Sequence, residues 1–313
     1  MNFLEKLLDG AEVEWVPLGD ITSYEQPTRF RVESTDYNDA YKTPVLTAGQ
    51  TFILGYTNEV EGIYEASVKP VIIFDDFTTA NKWVDFDFKV KSSAMKIISS
   101  ADESLVLTKY IYYWLNVLPS GLVEGEHKRQ WINCFAKKTI PIPCPDDPAR
   151  SLKIQTKIVQ ILDNFTELTA ELTAELTARE KQYEYYRDHL INSASEAIGS
   201  YELKKLGDIA ALSGKRISFE ELDESTFVGV DNLLQNKKGK VNSNYLPTTG
   251  NLTKYKSGDI LLGNIRPYLK KIWHADREGG ASGDVVVIQL TDKSVNSRYI
   301  YHALSSDKFF DYN

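Results

Sequence analysis

What most constrains this chain is that it is written almost twice. Leu18, Gly19, Asp20 and Ile21 return as Leu206, Gly207, Asp208 and Ile209, an offset of 188 residues. At the same offset Val71, Ile72, Ile73 and Phe74 meet Asp259, Ile260, Leu261 and Leu262, a match of type that reads as a short buried strand in both places. At offset 189, Tyr110 to Leu115 (YIYYWL) meets Tyr299 to Leu304 (YIYHAL), with Lys109 and Arg298 just before. Three matches in one order, drifting by a single residue, mark a duplicated unit of mixed structure rather than a solenoid with a period of about 20–50 residues. The duplication predicts two similar domains related by a pseudo-twofold axis, meeting a partner with two related halves.

Between the copies, Ser151 to about Ser195 contains neither Pro nor Gly. An apolar stripe runs through Ile154, Ile158, Ile161, Leu162, Phe165, Leu168, Leu172, Leu176, Tyr183, Tyr186 and Leu190. Its steps are mostly threes and fours, the spacing of a coiled coil, with a stutter of fours where ELTA is repeated in tandem over 167–178. At 1.5 Å per residue some 40 residues make a helix of about 60 Å, too long to pack within one small domain. It is therefore expected to be a spacer, preceded by the proline-rich string IPIPCPDDPAR (140–150), with Ser151 as its N-cap. The fold class predicted is α+β: two tandem globular domains of mixed strand and helix content, 1–150 and 196–313, joined by a long coiled-coil helix, 151–195.

The residue inventory excludes several chemistries. With 42% hydrophobic residues the chain has material for real cores. Cys134 and Cys144 have no zinc spacing, and His127, His189, His274 and His302 are scattered, so no metal site is expected and a reducing, cytoplasmic setting fits best. Glu5, Lys6 and Asp9 interrupt the apolar residues at the start, which reads as neither a signal peptide nor a membrane span. Asn264, Ile265, Arg266, Pro267 and Tyr268 lack the double proline of an amino-methyltransferase tetrapeptide, and Ser213, Gly214, Lys215 and Arg216 supply only the GK of a phosphate-binding loop. Glu126, His127 and Lys128 mimic only part of a metal nuclease, whose remaining carboxylates would have to come from a proline loop at Asp146.

Net charge is −8, from 36 Lys+Arg and 44 Asp+Glu, which on average disfavours nucleic acid. The average hides a patch. Between Asn236 and Lys271, Lys237, Lys238, Lys240, Lys254, Lys256, Arg266, Lys270 and Lys271 face a single acid, Asp259, among interleaved Asn and Tyr. Such a mixture suits phosphate contacts together with base-edge hydrogen bonds, and it equally suits a solvated lysine face. In the first copy Lys128, Arg129 and Gln130 form a smaller group, with Arg suited to guanine and Gln to adenine, although a salt-bridged surface is equally available. The segment FDDFTTANKWVDFDF (74–88) reads as a hairpin with core aromatics, whose polar tip presents Thr78, Thr79, Asn81 and Lys82. Thr79, Asn81, Lys82, Arg129, Gln130 and Arg266 are the candidate base contacts; Lys128, Lys215, Arg216 and the clustered lysines are the remaining DNA candidates.

Two globular repeats, a helical spacer with TAEL units (169–176), proline-rich domain ends and no catalytic motif together resemble the specificity (S) subunit of type I restriction-modification enzymes. The strings PVLTAGQTFILGYTNE (44–59), VIIFDDFTTANKWVDFDF (71–88), HKRQWIN (127–133), IPIPCPD (140–146) and KQYEYYRDHL (181–190) resemble the branch of that family whose spacer carries TAEL repeats. In the second copy the resemblance is looser, through LGDI, GDILLGNIRP (258–267) and RYIYHAL (298–304).

The resemblance implies a non-catalytic reader of double-stranded DNA, each domain contacting one half of a split site. It implies two methyltransferase subunits docked on the helix stripe, and restriction subunits recruited to the complex. S-adenosylmethionine, ATP and Mg then belong to those partners, and the chain itself needs no cofactor. One TAEL unit more or less moves the helix by about 6 Å and turns it by about 40°, which should tune the spacing of the half-sites. The chain departs from the pattern in its second copy, which has no counterpart of HKRQWIN, of the proline segment or of the helix. Cover for the exposed stripe is then expected from a methyltransferase, a second copy or a fragment supplied in trans. The competing readings are a stand-alone methyltransferase or nuclease, which methylation by the purified chain would reveal, and a protein-only scaffold, which would assemble without binding DNA.

Overall fold

The computed structural model describes residues 8, 10–47, 51–120, 129–197 and 204–312, with side chains left out of the description at 192–197 and 312. Its contacts divide it into two compact units, Met1–Glu171 and Leu172–Asn313. The first unit opens with β1 (Val13–Pro17), α1 (Leu18–Ile21) and β2 (Thr22–Glu25), followed by β3 (Thr43–Leu46), β4 (Ile53–Thr57), β5 (Val71–Asp75), β6 (Asn81–Val84), β7 (Lys89–Val90) and β8 (Met95–Ser100). Helices α2 (Thr108–Val117) and α3 (Gln130–Asn133) and strand β9 (Thr139–Pro143) complete it and lead into the long helix α4 (Pro148–Ala197).

The main sheet runs β2-β8-β5-β6, a smaller one β4-β3-β7, and β1 pairs antiparallel with β9. Strand β5 is buried on both faces, which is why it reads as a continuous apolar run. Ile72 and Phe74 face the helices, in a core with Ile98, Ile111, Trp131 and Phe135. Val71 and Ile73 face the opposite core, with Phe88, Met95 and Ile97. Leu18 closes the first of these cores, and Gly19 passes so close to Ala136 that a Cβ there would lie 3.1 Å from its carbonyl oxygen.

The proline-rich string does not act only as a stop, because its first four residues, 140–143, belong to β9 and pair with β1 in a two-stranded sheet whose open edges tolerate proline. Helix α4 starts three residues before the expected cap. Pro148 occupies the first turn, where its missing N–H costs nothing, and the Asp147 carboxylate accepts the Arg150 N–H at 3.0 Å. Ser151 is a buried residue of that first turn, its hydroxyl accepting from the Gln155 side chain.

The second unit repeats the plan with α5 (Leu206–Ile209), β10 (Ala210–Leu212), β11 (Arg216–Ser218), β12 (Phe227–Val228) and β13 (Asn251–Tyr255). It continues with β14 (Ile260–Gly263), β15 (Ile272–His274), β16 (Gly279–Ala281), β17 (Val285–Leu290), α6 (Ser297–Leu304) and α7 (Asp307–Tyr312). Its main sheet runs β10-β17-β14-β15, the order of the first sheet strand for strand. Ile72 pairs with Ile98 and Ile260 with Ile288, so the offset of 188 residues aligns positions that face equivalent helix-side cores. The second LGDI is not packed like the first: Leu206 is 38% exposed and nothing lies within 4 Å of a Cβ on Gly207.

Candidate nucleic-acid interface

In the first unit the fold gathers residues that are far apart in sequence. The turn joining β5 to β6 is organised by Asp75, whose carboxylate accepts the Phe77 N–H at 2.9 Å and the Thr78 hydroxyl at 2.5 Å. Thr79 takes a left-handed φ of 64°, which reverses the chain into β6. The next residue after Asp75 ties this turn to α3: the Asp76 carbonyl accepts the Gln130 N–H and its carboxylate accepts the Trp131 N–H, each at 2.8 Å. Trp131 then packs edge-on against Phe74, with ring centroids 5.1 Å apart. Thr79, Asn81, Lys82, Arg129 and Gln130 therefore belong to one end of the β5-β6 hairpin.

Not all of them are presented alike. Lys82 and Arg129 are exposed and Thr79 is half-buried. Gln130 is buried, so its side chain is not offered as an adenine-reading amide. Asn81 lies in β6 rather than at the tip of the turn, and its Oδ1 is enclosed without a hydrogen-bond partner. Lys128 lies outside the described residues. Beneath this surface Lys96 is fully buried, its ammonium 3.5 Å from the Asp76 carboxylate. Burial pushes the Lys96 pKa down, Asp76 opposes that shift and Arg129 adds to it, which puts all three charges in one neighbourhood. The pattern that could have exposed this pair is a lysine at an inward position of the apolar strand β8 together with the doubled Asp of FDDF.

In the second unit the corresponding turn, between β14 and β15, carries Arg266 and Lys270, both left-handed. Arg266 is exposed. Backbone N–H groups of Asn236 and Lys237 donate to the carbonyls of Leu269 and Lys270, fixing the basic loop beside this turn. The side chains, however, are largely committed. Lys237 donates to Glu184 and to Asp307, both at 3.0 Å, and Lys270 donates to Asp307 at 2.7 Å. Lys240 and Lys271 donate to the carbonyls of Ser225 and Val230. Lys238 and Lys254 form looser pairs with Glu180 and Glu278, each at 3.7 Å. Arg216 donates to the Thr253 hydroxyl at 2.9 Å, while Lys215 and Lys256 are exposed.

Lys237, an expected phosphate contact, is paired with two carboxylates in this structure, Glu184 and Asp307. Lys237, Lys270, Asp307 and Glu184 line a cleft of about 450 Å³ with the buried Arg187. The bond from Lys270 holds the Asp307 carboxyl at a pKa of about 2 against the opposing effect of burial, and Lys237 adds to the lowering.

The stripe of α4 divides by environment. Ile154 is buried and Ile158 packs on the first core, so their apolar surface is used within the first unit; Ile161 and Leu162 are half-buried. Tyr113 and Lys109 clamp this end of the helix through Asp163, at 2.5 and 3.0 Å. From there the stripe emerges: Phe165, Leu168, Leu172, Leu176, Tyr183, Tyr186 and Leu190 are each about half exposed or more. Tyr183 is tethered by its hydroxyl to His302 at 2.8 Å.

A duplicated α+β scaffold with polar and cationic hairpin ends and an apolar-striped helix defines a modular protein of two related units. Residues 11–179 match the family described as type I restriction modification DNA specificity domain, and the chain belongs to that family. It is 65% identical over 214 residues to the type I restriction enzyme EcoR124I/EcoR124II specificity subunit of Escherichia coli, covering 68% of this chain and 52% of that protein. It is 32% identical over 253 residues to the EcoprrI specificity subunit of Escherichia coli, covering 72% of this chain and 61% of that one. The chain thus spans roughly half to three-fifths of the length of these relatives. A solved type I restriction-modification S subunit from M. genitalium shares the fold at 12% identity, with a TM-score of 0.56 over 97% of this chain and 78% of that one. Among the described residues no helix is long and apolar enough to cross a membrane.

Proposed function

We propose that this chain reads a split sequence in double-stranded DNA, one half with each unit, and delivers methyltransferase subunits to it. The observation that carries this reading is the convergence of Thr79, Asn81, Lys82 and Arg129 at one hairpin end, repeated by Arg266 at the equivalent turn of the second unit. Lys82, Arg129 and Arg266 are exposed charges that suit phosphate and base-edge contacts; Lys215 and Lys256 extend the cationic surface of the second unit. The chain contributes recognition without chemistry of its own. S-adenosylmethionine, ATP and Mg are brought by the methyltransferase and restriction subunits.

The exposed stripe from Phe165 to Leu176 is the docking surface in this reading, because apolar side chains at helical spacing favour cover by another protein. Two methyltransferase subunits are the first partners; a second copy of the chain or an S fragment in trans is the alternative cover. Profiling adenine methylation across the genome of cells expressing the chain with its cognate methyltransferase tests the reading. A split motif that disappears with the chain is expected. A symmetric motif would mean that two copies pair through their first units, and no chain-dependent motif would refute sequence reading. Methylation by the purified chain alone would turn the account toward a stand-alone enzyme.

A further inference from the structure

The residues that meet DNA in the proposed reading lie at the surface, but the first unit spends buried charge directly beneath them. Across the main sheet, Lys96, Phe74 and Asn81 are register neighbours on the helix-side face. Phe74 is packed by Trp131 and Phe135. The two polar neighbours are not satisfied: the Lys96 ammonium and the Asn81 Oδ1 are both buried without a hydrogen-bond partner. The ammonium has an ion partner, Asp76 at 3.5 Å, and a ring beneath it, Tyr24 at 5.5 Å.

An apolar residue would fill the Lys96 position among Phe74, Ile98 and Tyr24 without the cost of desolvating a charge, so stability alone does not explain a lysine there. What the lysine does is stand 3.5 Å from the Asp76 carboxylate. That carboxylate also accepts the Trp131 N–H, while the Asp76 carbonyl accepts the Gln130 N–H, so Asp76 sets where the chain leaves Arg129 relative to the hairpin turn.

We propose that Lys96 and Asp76 are positioning residues for sequence recognition by the first unit: the buried pair fixes Arg129 against Thr79, Asn81 and Lys82 without itself touching DNA. The inference rests on the DNA-reading function proposed above. Because the two charges sum to zero and neither touches phosphate, neutralising both affects discrimination between bases and leaves the electrostatic attraction to phosphate unchanged.

The test uses the full chain assembled with its methyltransferase subunits. The probes are duplexes carrying the split motif found by methylation profiling, and the same duplexes with single-base changes in either half. Lys96→Met removes the charge at similar volume. The double variant Asp76→Asn/Lys96→Met neutralises both partners and keeps an amide oxygen for the Trp131 N–H. In both variants, discrimination is expected to fall about tenfold in one half-site, the scale of one bidentate contact. Discrimination in the other half stays at the wild-type level in both, and in the double variant, which leaves the net charge unchanged, so do affinity for unrelated duplex and its salt dependence.

Variants that keep full discrimination in both halves overturn the inference. So does a uniform loss of affinity for all duplexes, or loss of the folded first unit in both variants, which would make the role structural. A wild-type complex with no discrimination in either half would instead refute the DNA-reading function, and the positioning role would fall with it.

Discussion

The hairpin joining β5 to β6 and the hairpin joining β14 to β15 occupy the same place in the same sheet order and each exposes a cation at its end, yet the charges around them are arranged differently. In the first unit the cations Lys82 and Arg129 stand exposed over a buried Lys96–Asp76 pair. In the second, Lys237 and Lys270 lie in the basic stretch but are turned onto the carboxylates of Asp307 and Glu184. The contrast separates scaffold from surface. The sheet order and the pairing of Ile72 and Ile260 are shared, whereas the residues that decide what each end can grip have diverged. A lysine count is therefore a poor guide to a binding surface, because most of the densest cluster in the chain is already occupied by acids and carbonyl groups.

The largest effect that probes this comparison lies in the shared scaffold. Ile72→Ala and Ile260→Ala remove fully buried side chains from equivalent positions, and each should cost its own unit about 2–5 kcal/mol in denaturant unfolding followed by hydrogen exchange. A cost below about 1 kcal/mol at Ile260 alone would break the equivalence of the two cores. Next comes recognition: Arg129→Ala should cost about 1–3 kcal/mol of base discrimination in one half-site and nothing in the other, measured by competition binding. Lys237→Ala, by contrast, should leave discrimination and salt dependence unchanged, because its charge is already paired.

A pH titration sharpens the difference further. Asp307 has its pKa lowered from 3.8 to about 2 by Lys270 and Lys237, so folding favours the ionised form. Its contribution to stability is fully present above the unfolded value and is lost as pH falls through about 2. Thermal melts of wild type and Asp307→Asn should therefore differ at pH 6 and converge toward pH 2; a constant difference would show that the carboxylate charge is not what matters. The smallest effect is expected at Lys256, an exposed residue of the second unit. If it meets a phosphate, Lys256→Ala should reduce the slope of log affinity against log salt by about one, with no change in the recognised sequence.

Much of the scaffold was legible in the residues. Buried strands and helix stripes impose periodicity, and LGDI and the apolar runs carry the duplication at an offset that the sheet register reproduces through Ile72 and Ile260. The hairpin was legible too, but its strands are Val71–Asp75 and Asn81–Val84, so Asn81 and Lys82 lie in the second strand rather than at the tip. The site was legible only in outline. Lys237 bonds to residues 53 and 70 positions away, and no local pattern indicates that a surface lysine will find them. Gln130 lies in a polar string, but the bonds to Asp76 and the packing of Trp131 draw its turn inward. The start of α4 is not legible because Ser151 and Asp147 are both good caps; in the structure the Asp147 carboxylate accepts the Arg150 N–H and its carbonyl the Ser151 N–H.

The central claim, that two units built on one scaffold read two halves of a site independently, is tested most directly by methylation profiling of paired variants. Cells expressing the chain with its cognate methyltransferase would carry wild type, Arg129→Ala or Arg266→Ala. The account predicts a split motif in which Arg129→Ala relaxes one half and Arg266→Ala relaxes only the other. Both variants relaxing the same half, or neither altering a chain-dependent motif, would contradict it.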